Sequence, residues 1–324
     1  MQAVFLDFAT FGPADLDCSP LTGLMPGIRL HDDSPQMTLA GRLRDAEVVI
    51  VNKVVLDARI LALAPQLKLI CCAATGTDNV ALEVARTRGI AVTNIRDYCA
   101  PSVTQHVFAL MLALTQRLRE YDRLLAGGAW AASRSFCLLD YPFHELRGRT
   151  LGVVGLGALG RSVAQVAQAF GMEVIAAQRP YAASAGGGQT HGIRRVAFTE
   201  LLSSSHVVSL HCPLTAETRR LIDADALARM RRDALLINTA RGALVDPAAL
   251  LCALHNGAIA GAGIDVLEQE PPASDEALVA ARLPNLIVTP HIAWAAREAR
   301  ERALAEIAAN IEAFLSGTRR NRVD

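Results

Sequence analysis

The fold of this chain is decided by residues 150–160, which read Thr150-Leu-Gly-Val-Val-Gly155-Leu-Gly157-Ala158-Leu159-Gly160. Residues 150–154 predict a buried strand, and residues 161–170 continue with the spacing of an amphipathic helix. Between them, Gly155 permits a tight turn, Gly157 lets the backbone approach a pyrophosphate, and Gly160 lets the helix pack on the strand. In this setting the motif, with Ala158 and Leu159 completing the loop, indicates a dinucleotide held at a helix N-terminus.

The residue that follows the next predicted strand, at 173–177, bears on which dinucleotide is bound. An acidic side chain at this point accepts hydrogen bonds from the ribose 2′-hydroxyl, but this chain has Gln178-Arg179 instead. No carboxylate repels a 2′-phosphate here, and a guanidinium can fork onto one, so we expect NADP(H) to be preferred. NAD(H) stays possible, because glutamine can also serve an unphosphorylated ribose. The stretch at 182–189, which contains only Ala, Ser and Gly before its final Gln189, predicts a surface loop beside the cofactor.

Apolar runs alternate with helical patterns along the chain, which is typical of parallel sheets covered by helices. A long helix from Ser102 to about Glu120 is expected to lead into the second domain, and the last helix, at 295–315, to pack back on the first sheet. The predicted fold is therefore α/β, with two doubly wound parallel-sheet domains. A Rossmann cofactor domain, 101–292, is inserted in a smaller flavodoxin-like substrate domain, 1–100 and 293–324. The strands are predicted at 4–6, 48–51, 67–73 and 90–93 in the first sheet, and at 150–154, 173–177, 207–211, 235–238, 263–266 and 286–289 in the second.

Composition narrows the class of protein further. The 324 residues are long enough for two buried cores, and 32 Lys and Arg balance 32 Asp and Glu. Because no large positive field results, neither nucleic acid nor an anionic membrane is expected as a partner. No apolar run reaches the ~18 residues of a membrane-spanning helix, and the start of the chain lacks a secretory pattern. Seven scattered cysteines favour the reducing cytoplasm, and the histidines, His191 among them, lack the spacing of a metal site.

Three side chains follow predicted strands of the second sheet: Arg241, Glu270 and His291. Ligands of open α/β sheets bind at the carboxyl ends of the strands. Reduction of a 2-keto acid needs a cation for the carboxylate, a proton donor for the developing alkoxide, and a group that holds this donor charged. Arg241 can provide the first, His291 the second and Glu270 the third. Each residue alone would more often be structural or solvated, so the hypothesis depends on the three together.

The chain resembles the D-2-hydroxyacid dehydrogenase family over its whole length, and within it the glycerate dehydrogenases, also called hydroxypyruvate reductases. The family motifs are Gly155-Leu-Gly-Ala-Leu-Gly160, Leu210-His-Cys-Pro-Leu-Thr215, Leu236-Ile-Asn-Thr-Ala-Arg-Gly242, Gly263-Ile-Asp-Val266, Glu270-Pro-Pro272 and Pro290-His291. The narrower likeness rests on Asn52-Lys53, Ala73-Ala-Thr-Gly-Thr-Asp78, Phe136-Cys-Leu-Leu-Asp-Tyr-Pro142 and His291-Ile-Ala-Trp294. One departure is Gln178, which replaces the acid of the NAD-preferring members.

The resemblance implies roles for further residues. Asp265 contacts the nicotinamide end of the cofactor, and the backbone at Thr75 and Gly76 holds the substrate carboxylate. The remaining implied contacts are Cys212 and Pro213 on the adenosine side, Thr239 and Ala240 beside the cofactor, and Trp294 beside the substrate. A twofold homodimer is implied as well, formed by the helix from Ser102 and the arm through Trp130.

The function predicted from the sequence is reduction of hydroxypyruvate to D-glycerate by NADPH or NADH, with glyoxylate as a second substrate. One alternative is another small substrate: formate, phosphite, lactate or phosphoglycerate. Formate enzymes of this family pair the histidine with glutamine, whereas this chain has Glu270, and phosphoglycerate calls for basic groups that the sequence does not show. Another alternative is a cofactor-sensing binding protein, but the presence of Arg241, Glu270 and His291 together argues for an enzyme.

Overall fold

The computed structural model describes residues 1–12, 15–178, 189–190 and 192–324. Arg179, on which the predicted phosphate clamp depends, lies outside the described residues. So does His191, and so does the predicted loop at 182–189 apart from Gln189. The described chain divides into two compact units, Met1–Cys99 with Trp294–Asp324, and Ala100–Ala293.

The first unit is built on a parallel sheet with strand order β2-β1-β3-β4-β5, the order of flavodoxin-like folds. Every residue of β3 and β4 is buried, as expected for strands covered on both faces. The two-residue edge strand β2 was not predicted, because it is too short to show a pattern. The strands are β1 Ala3–Phe5, β2 Arg29–Leu30, β3 Val48–Val51, β4 Leu69–Cys72 and β5 Ala91–Thr93.

Helices surround this sheet, and the last helix of the chain packs on β4 although more than 200 residues separate them in sequence. The last helix is therefore part of the first unit. The helices are α1 Ser19–Leu24, α2 Gln36–Leu43, α3 Ala58–Ala62, α4 Leu82–Thr87 and α12 Arg297–Leu315, with a 3₁₀ turn at Phe8–Phe11.

The second unit contains a sheet with strand order β13-β12-β11-β10-β6-β7-β9-β8, in which β8 alone of the described strands runs antiparallel to its neighbour. The run from β9 to β12 has the Rossmann order. Six strands were predicted and eight are present among the residues that the structure describes, because β8 and β9 were missed. The strands are β6 Thr150–Val154, β7 Glu173–Ala177, β8 Gln189–Thr190, β9 Ile193–Val196, β10 Val207–Leu210, β11 Leu235–Asn238, β12 Gly261–Ile264 and β13 Leu286–Val288.

The helix predicted from Ser102 to Glu120 was wrong in two respects. The helix begins at Ala100, two residues before Ser102, whose hydroxyl donates to the Ala293 carbonyl oxygen at 2.7 Å. It also ends at Thr115, because Arg117 adopts a left-handed backbone (φ 54°) and a separate helix follows. The helices of this unit are α5 Ala100–Thr115, α6 Leu118–Ala126, α7 Ala158–Ala169, α8 Phe198–Ser204, α9 Ala224–Arg229, α10 Pro247–His255 and α11 Ala277–Ala280, with a 3₁₀ turn at Gly242–Leu244.

Among the helices that the structure describes, none has the length and the apolar composition needed to cross a bilayer.

Candidate active site

The glycine-rich turn joins β6 to α7 and leaves room for a ligand. Gly155 has φ +101°, and a Cβ there would lie 2.6 Å from the Cys212 nitrogen. A Cβ on Gly160 would lie 2.1 Å from the Gly155 carbonyl oxygen. Gly157, in contrast, is the N-cap of α7 and faces open space. The strand, turn and helix thus form a cradle whose open side ends at a helix N-terminus, which suits a pyrophosphate.

The loop after β10 closes one side of this cradle. Cys212 is buried, and Pro213 is exposed with its carbonyl oxygen accepting a 2.8 Å hydrogen bond from the Thr218 hydroxyl. Preceding them, His211 Nε2 lies 2.8 Å from the Ser209 hydroxyl. Burial lowers the pKa of His211 to about 4, so its imidazole is neutral at pH 7. This loop therefore brings no positive charge of its own to the cradle.

Gln178 immediately follows β7, the strand next to β6. It is buried, and its backbone nitrogen donates to the Val196 carbonyl oxygen at 3.0 Å. The side chain that stands at the acidic position of NAD-binding folds is therefore held at the sheet edge as an uncharged amide.

The loop after β11 carries Arg241 and is stabilised by Asn238. The Asn238 amide donates to the Arg241 carbonyl oxygen at 2.9 Å and accepts from the Ala240 nitrogen at 3.1 Å. The Arg241 guanidinium donates to the Ala240 carbonyl oxygen at 2.8 Å. The Thr239 hydroxyl oxygen is buried without a hydrogen-bond partner among the described residues. A bound polar ligand could supply the hydrogen-bond partner that this oxygen lacks. Residues 239–240 therefore suit the cofactor that was predicted beside them.

Asp265 follows β12 and organises the segment that carries His291. Its carboxylate accepts hydrogen bonds from the Thr289 hydroxyl at 2.6 Å and from the Ile292 and Ala293 nitrogens at 2.9 Å. Burial opposes ionisation of Asp265, but hydrogen bonds from His106, Thr289 and the backbone outweigh it and lower its pKa. Both carboxylate oxygens are thus engaged within the protein, and they fix the backbone on either side of His291.

His106, for which the sequence predicted no metal-site role, completes this cluster. Its Nε2 lies 2.9 Å from the Thr289 hydroxyl oxygen and 3.3 Å from an Asp265 carboxylate oxygen. Because the Thr289 proton goes to Asp265, Nε2 carries the hydrogen that points at Thr289. No spacing rule links residue 106 in a helix to residue 289 after a distant strand, so the sequence held no signal for this contact.

His291 and Glu270 form the closest pairing among the predicted catalytic side chains. His291 Nδ1 lies 2.5 Å from Glu270 Oε2, while Glu270 Oε1 accepts from the Leu267 nitrogen at 2.8 Å. The His291 backbone is left-handed (φ 55°), and its nitrogen donates to the Asp265 carbonyl oxygen at 2.8 Å. Both side chains are about three-tenths exposed, at 27% and 31%. They line a largely apolar cavity of about 640 Å³ in the second unit.

Arg241 lies at the same sheet edge as this pair. Strands β11, β12 and β13 are parallel neighbours, with Asn238 paired with Ile264 and Ile264 with Val288. Arg241 follows Asn238 by three positions, and His291 follows Val288 by three. The predicted cation, carboxylate and imidazole therefore follow three neighbouring strands, β11, β12 and β13.

The predicted substrate contacts Thr75, Gly76 and Trp294 belong to the first unit. Thr75 follows β4, and its carbonyl oxygen accepts from the Asn94 amide at 2.8 Å while its hydroxyl donates to the Ile95 carbonyl oxygen at 3.1 Å. The Trp294 ring packs edge-on against Phe11 at 5.8 Å between centroids. Thr75 is thus held by hydrogen bonds at the carboxyl edge of the first sheet, and Gly76 follows it in the chain.

The strand order and the glycine cradle define a dinucleotide-binding Rossmann domain, in a chain with a second parallel-sheet domain. The family model for the D-isomer specific 2-hydroxyacid dehydrogenase NAD-binding domain matches residues 108–293. The chain belongs to this family of nicotinamide-dependent oxidoreductases.

Named relatives agree with the family. A glycerate dehydrogenase of Methylorubrum extorquens is 46% identical over 87% of this chain and 87% of its own. A hydroxypyruvate reductase of Blautia hydrogenotrophica is 34% identical over 98% of each chain. The solved structure of an NADPH-dependent glyoxylate/hydroxypyruvate reductase of Sinorhizobium meliloti, in complex with NADP and malonate, superposes with a TM-score of 0.82 at 28% identity, covering 99% of this chain and 96% of that one.

Proposed function

We propose that this protein is an NAD(P)H-dependent reductase of hydroxypyruvate, forming D-glycerate, and that it also reduces glyoxylate. The relatives named glycerate dehydrogenase, hydroxypyruvate reductase and glyoxylate/hydroxypyruvate reductase support this substrate class. The single structural observation that carries the proposal is the 2.5 Å contact between His291 Nδ1 and Glu270 Oε2.

This contact assigns the two imidazole nitrogens different tasks. Glu270 holds the proton on Nδ1, so Nε2 is the nitrogen that gives a proton to the carbonyl oxygen of the substrate. Arg241 binds the substrate carboxylate and stabilises the negative charge that develops on the carbonyl oxygen. The contact of the Thr75 and Gly76 backbone with the substrate carboxylate, which the resemblance implies, stays a prediction. When bound, the reduced nicotinamide supplies the hydride.

Initial rates with the purified protein test the substrate class. Loss of NADPH or NADH absorbance is followed with hydroxypyruvate, glyoxylate, pyruvate and phosphohydroxypyruvate, and oxidation of phosphite is followed in the opposite direction. We expect the highest kcat/KM with hydroxypyruvate. Faster turnover of pyruvate, phosphohydroxypyruvate or phosphite would replace the proposed substrate by that one.

His291→Asn tests the assignment of the proton donor. We expect kcat to fall by about 10²–10⁴, the contribution typical of a general acid, because asparagine holds the space but cannot deliver the proton. Gel filtration and circular dichroism check that the variant is folded. Near-normal turnover of a folded His291→Asn protein would remove His291 from the mechanism.

NADP(H) is the cofactor that we propose to be preferred. The neutral, buried Gln178 supports this, since it presents no charge to repel a 2′-phosphate. The predicted clamp by Arg179 stays a proposal, and Arg179→Ala tests it: an unchanged ratio of kcat/KM for NADPH over NADH would exclude this residue from the choice.

A homodimer in the cytoplasm is proposed as the working form. The arm from Trp130 to Pro142 carries exposed apolar side chains, with Phe136 and Leu139 exposed by 89% and 79%. Exposed apolar groups of this size indicate a surface that a partner covers, and a second copy is the partner proposed. All seven cysteines are free thiols, which fits a reducing compartment.

A further inference from the structure

Strand β9, which was not predicted from the sequence, places the side chain of Arg195 beside the dinucleotide cradle. β9 runs parallel to β7, with Arg195 paired with Ala176 and Val196 with Ala177. The Arg195 guanidinium donates to the Ala177 carbonyl oxygen at 3.0 Å, and the side chain is half-buried. Its charge is thereby held at the carboxyl end of β7, the part of a Rossmann fold that faces the adenosine ribose.

A cavity of about 210 Å³ opens at this point. The glycine-rich turn and the arginine both line this cavity. The lining residues are Gly155, Leu156, Gly157, Ala177, Arg195, His211 and Pro213. No carboxylate stands among these lining residues. Because the pKa of His211 is lowered to about 4 by burial, Arg195 is the lining residue that carries a positive charge at pH 7.

We propose that Arg195 binds the 2′-phosphate of NADP(H) and thereby selects it over NAD(H). This inference rests on the proposed use of a nicotinamide dinucleotide, and it assigns the selecting residue within the described part of the chain. A guanidinium stays charged at all working pH values, so its attraction to a 2′-phosphate adds to the hydrogen bonds that it already donates.

The neighbouring Arg194 provides a matched control. Successive side chains of a strand point to opposite faces, and Arg194 is exposed and pairs with Glu200 at 2.8 Å. It does not line the cavity. The two arginines therefore carry the same charge and lie in the same strand, but only Arg195 lines the cavity.

Equilibrium binding tests the proposal without reference to turnover. NADPH and NADH are titrated by fluorescence, and adenosine 2′,5′-bisphosphate and AMP by calorimetry, against the wild type, Arg195→Gln and Arg194→Gln. We expect Arg195→Gln to weaken the binding of NADPH and of adenosine 2′,5′-bisphosphate by about 10- to 100-fold, as for loss of a charge-assisted hydrogen bond. The affinities for NADH and AMP should stay within about twofold of those of the wild type. Arg194→Gln should bind all four ligands like the wild type.

Two results would overturn the proposal. The first is that Arg195→Gln weakens the binding of NADPH and of NADH equally, because the residue would then only support the strand end. The second is unchanged binding of adenosine 2′,5′-bisphosphate. Arg195→Lys, which keeps the charge, should recover part of the lost affinity. A protein that binds NADPH as expected but does not reduce hydroxypyruvate would contradict the proposed substrate and leave the role of Arg195 standing.

Discussion

At the scale of single residues, Asp265 shows how a buried charge can fix a catalytic segment. Its carboxylate receives two backbone N–H groups and the Thr289 hydroxyl, and the residue is 1% exposed. These bonds hold the chain on both sides of His291, whose left-handed backbone is unfavourable for an L side chain. The geometry of the proposed proton donor therefore depends on a residue that need not touch the substrate.

Asp265→Asn is expected to lower the free energy of unfolding by about 1–3 kcal/mol at pH 7, because hydrogen bonds to a charged acceptor are lost. The pKa of Asp265 is lower in the folded protein than its ordinary value of 3.8. The ionised form therefore stabilises the fold above pH 3.8, and this stabilisation is lost as the pH falls through the lower, folded pKa. Urea titrations at several pH values should show the wild type approaching the variant in acid.

The exposed Asp275 provides the control, since Asp275→Asn removes a charge without removing a buried acceptor. A difference between wild type and Asp265→Asn that is independent of pH would contradict an ionised Asp265.

The site shows which residue-level features a sequence can and cannot supply. Arg241, Glu270 and His291 could be predicted because each is chemically distinctive and follows a recognisable strand. His106 could not, because its contact with Thr289 requires α5 and β13 to be placed in space. Arg195 was missed with its strand: Ile193-Arg-Arg-Val196 has two charges at its centre and shows no apolar run.

At the scale of secondary structure, apolar strands were well predicted and irregular helix ends were not. The predicted strands at 48–51, 150–154, 173–177 and 235–238 coincide with β3, β6, β7 and β11. The strand predicted at 263–266 lies two residues earlier, at Gly261–Ile264, because its two glycines hide the start of the strand. The division between α5 and α6 depends on one left-handed residue, Arg117, whose side chain gives no hint of it.

The last helix, α12, is tied to the start of the chain by a buried arginine. The Arg300 guanidinium donates to the Phe11 carbonyl oxygen at 2.8 Å and to the Asp15 carboxylate at 2.7 and 2.9 Å, and its Nε donates to the Ala295 carbonyl oxygen at 3.0 Å. Arg300 is only 8% exposed. The helix is thus fixed by directional bonds as well as by apolar packing.

Arg300→Ala is expected to lower the free energy of unfolding by about 1–3 kcal/mol, because the Phe11 carbonyl oxygen loses its buried donor. The matched control is Arg297→Ala, one turn earlier, where the side chain is 61% exposed and pairs with Glu301. That pair should contribute no more than about 0.5 kcal/mol. Urea unfolding of both variants measures the two losses in the free energy of unfolding. Equal losses would mean that Arg300 acts as an ordinary surface residue.

At the scale of the whole molecule, the chain interrupts one domain with another. The first unit ends at Cys99, resumes at Trp294, and includes α12 on its sheet. The prediction of a discontinuous domain depended on a Rossmann pattern in the middle of the chain that was followed by one isolated helix. The apolar side chains of Phe136 and Leu139 are exposed and lie outside the core of the second unit.

The arm leads to a prediction about assembly. Trp130, exposed by 52%, donates its indole N–H to the Phe136 carbonyl oxygen at 3.0 Å, so the arm has a defined shape before any partner binds. Sedimentation equilibrium should give twice the 34.5 kDa of one chain. The double substitution Phe136→Asp, Leu139→Asp should yield monomers, because two charges would be buried without partners at the interface. Met37→Asp changes a side chain that is 90% exposed but lies in α2, and should remain dimeric. A dimer that survives the arm substitutions would place the interface elsewhere on the molecule.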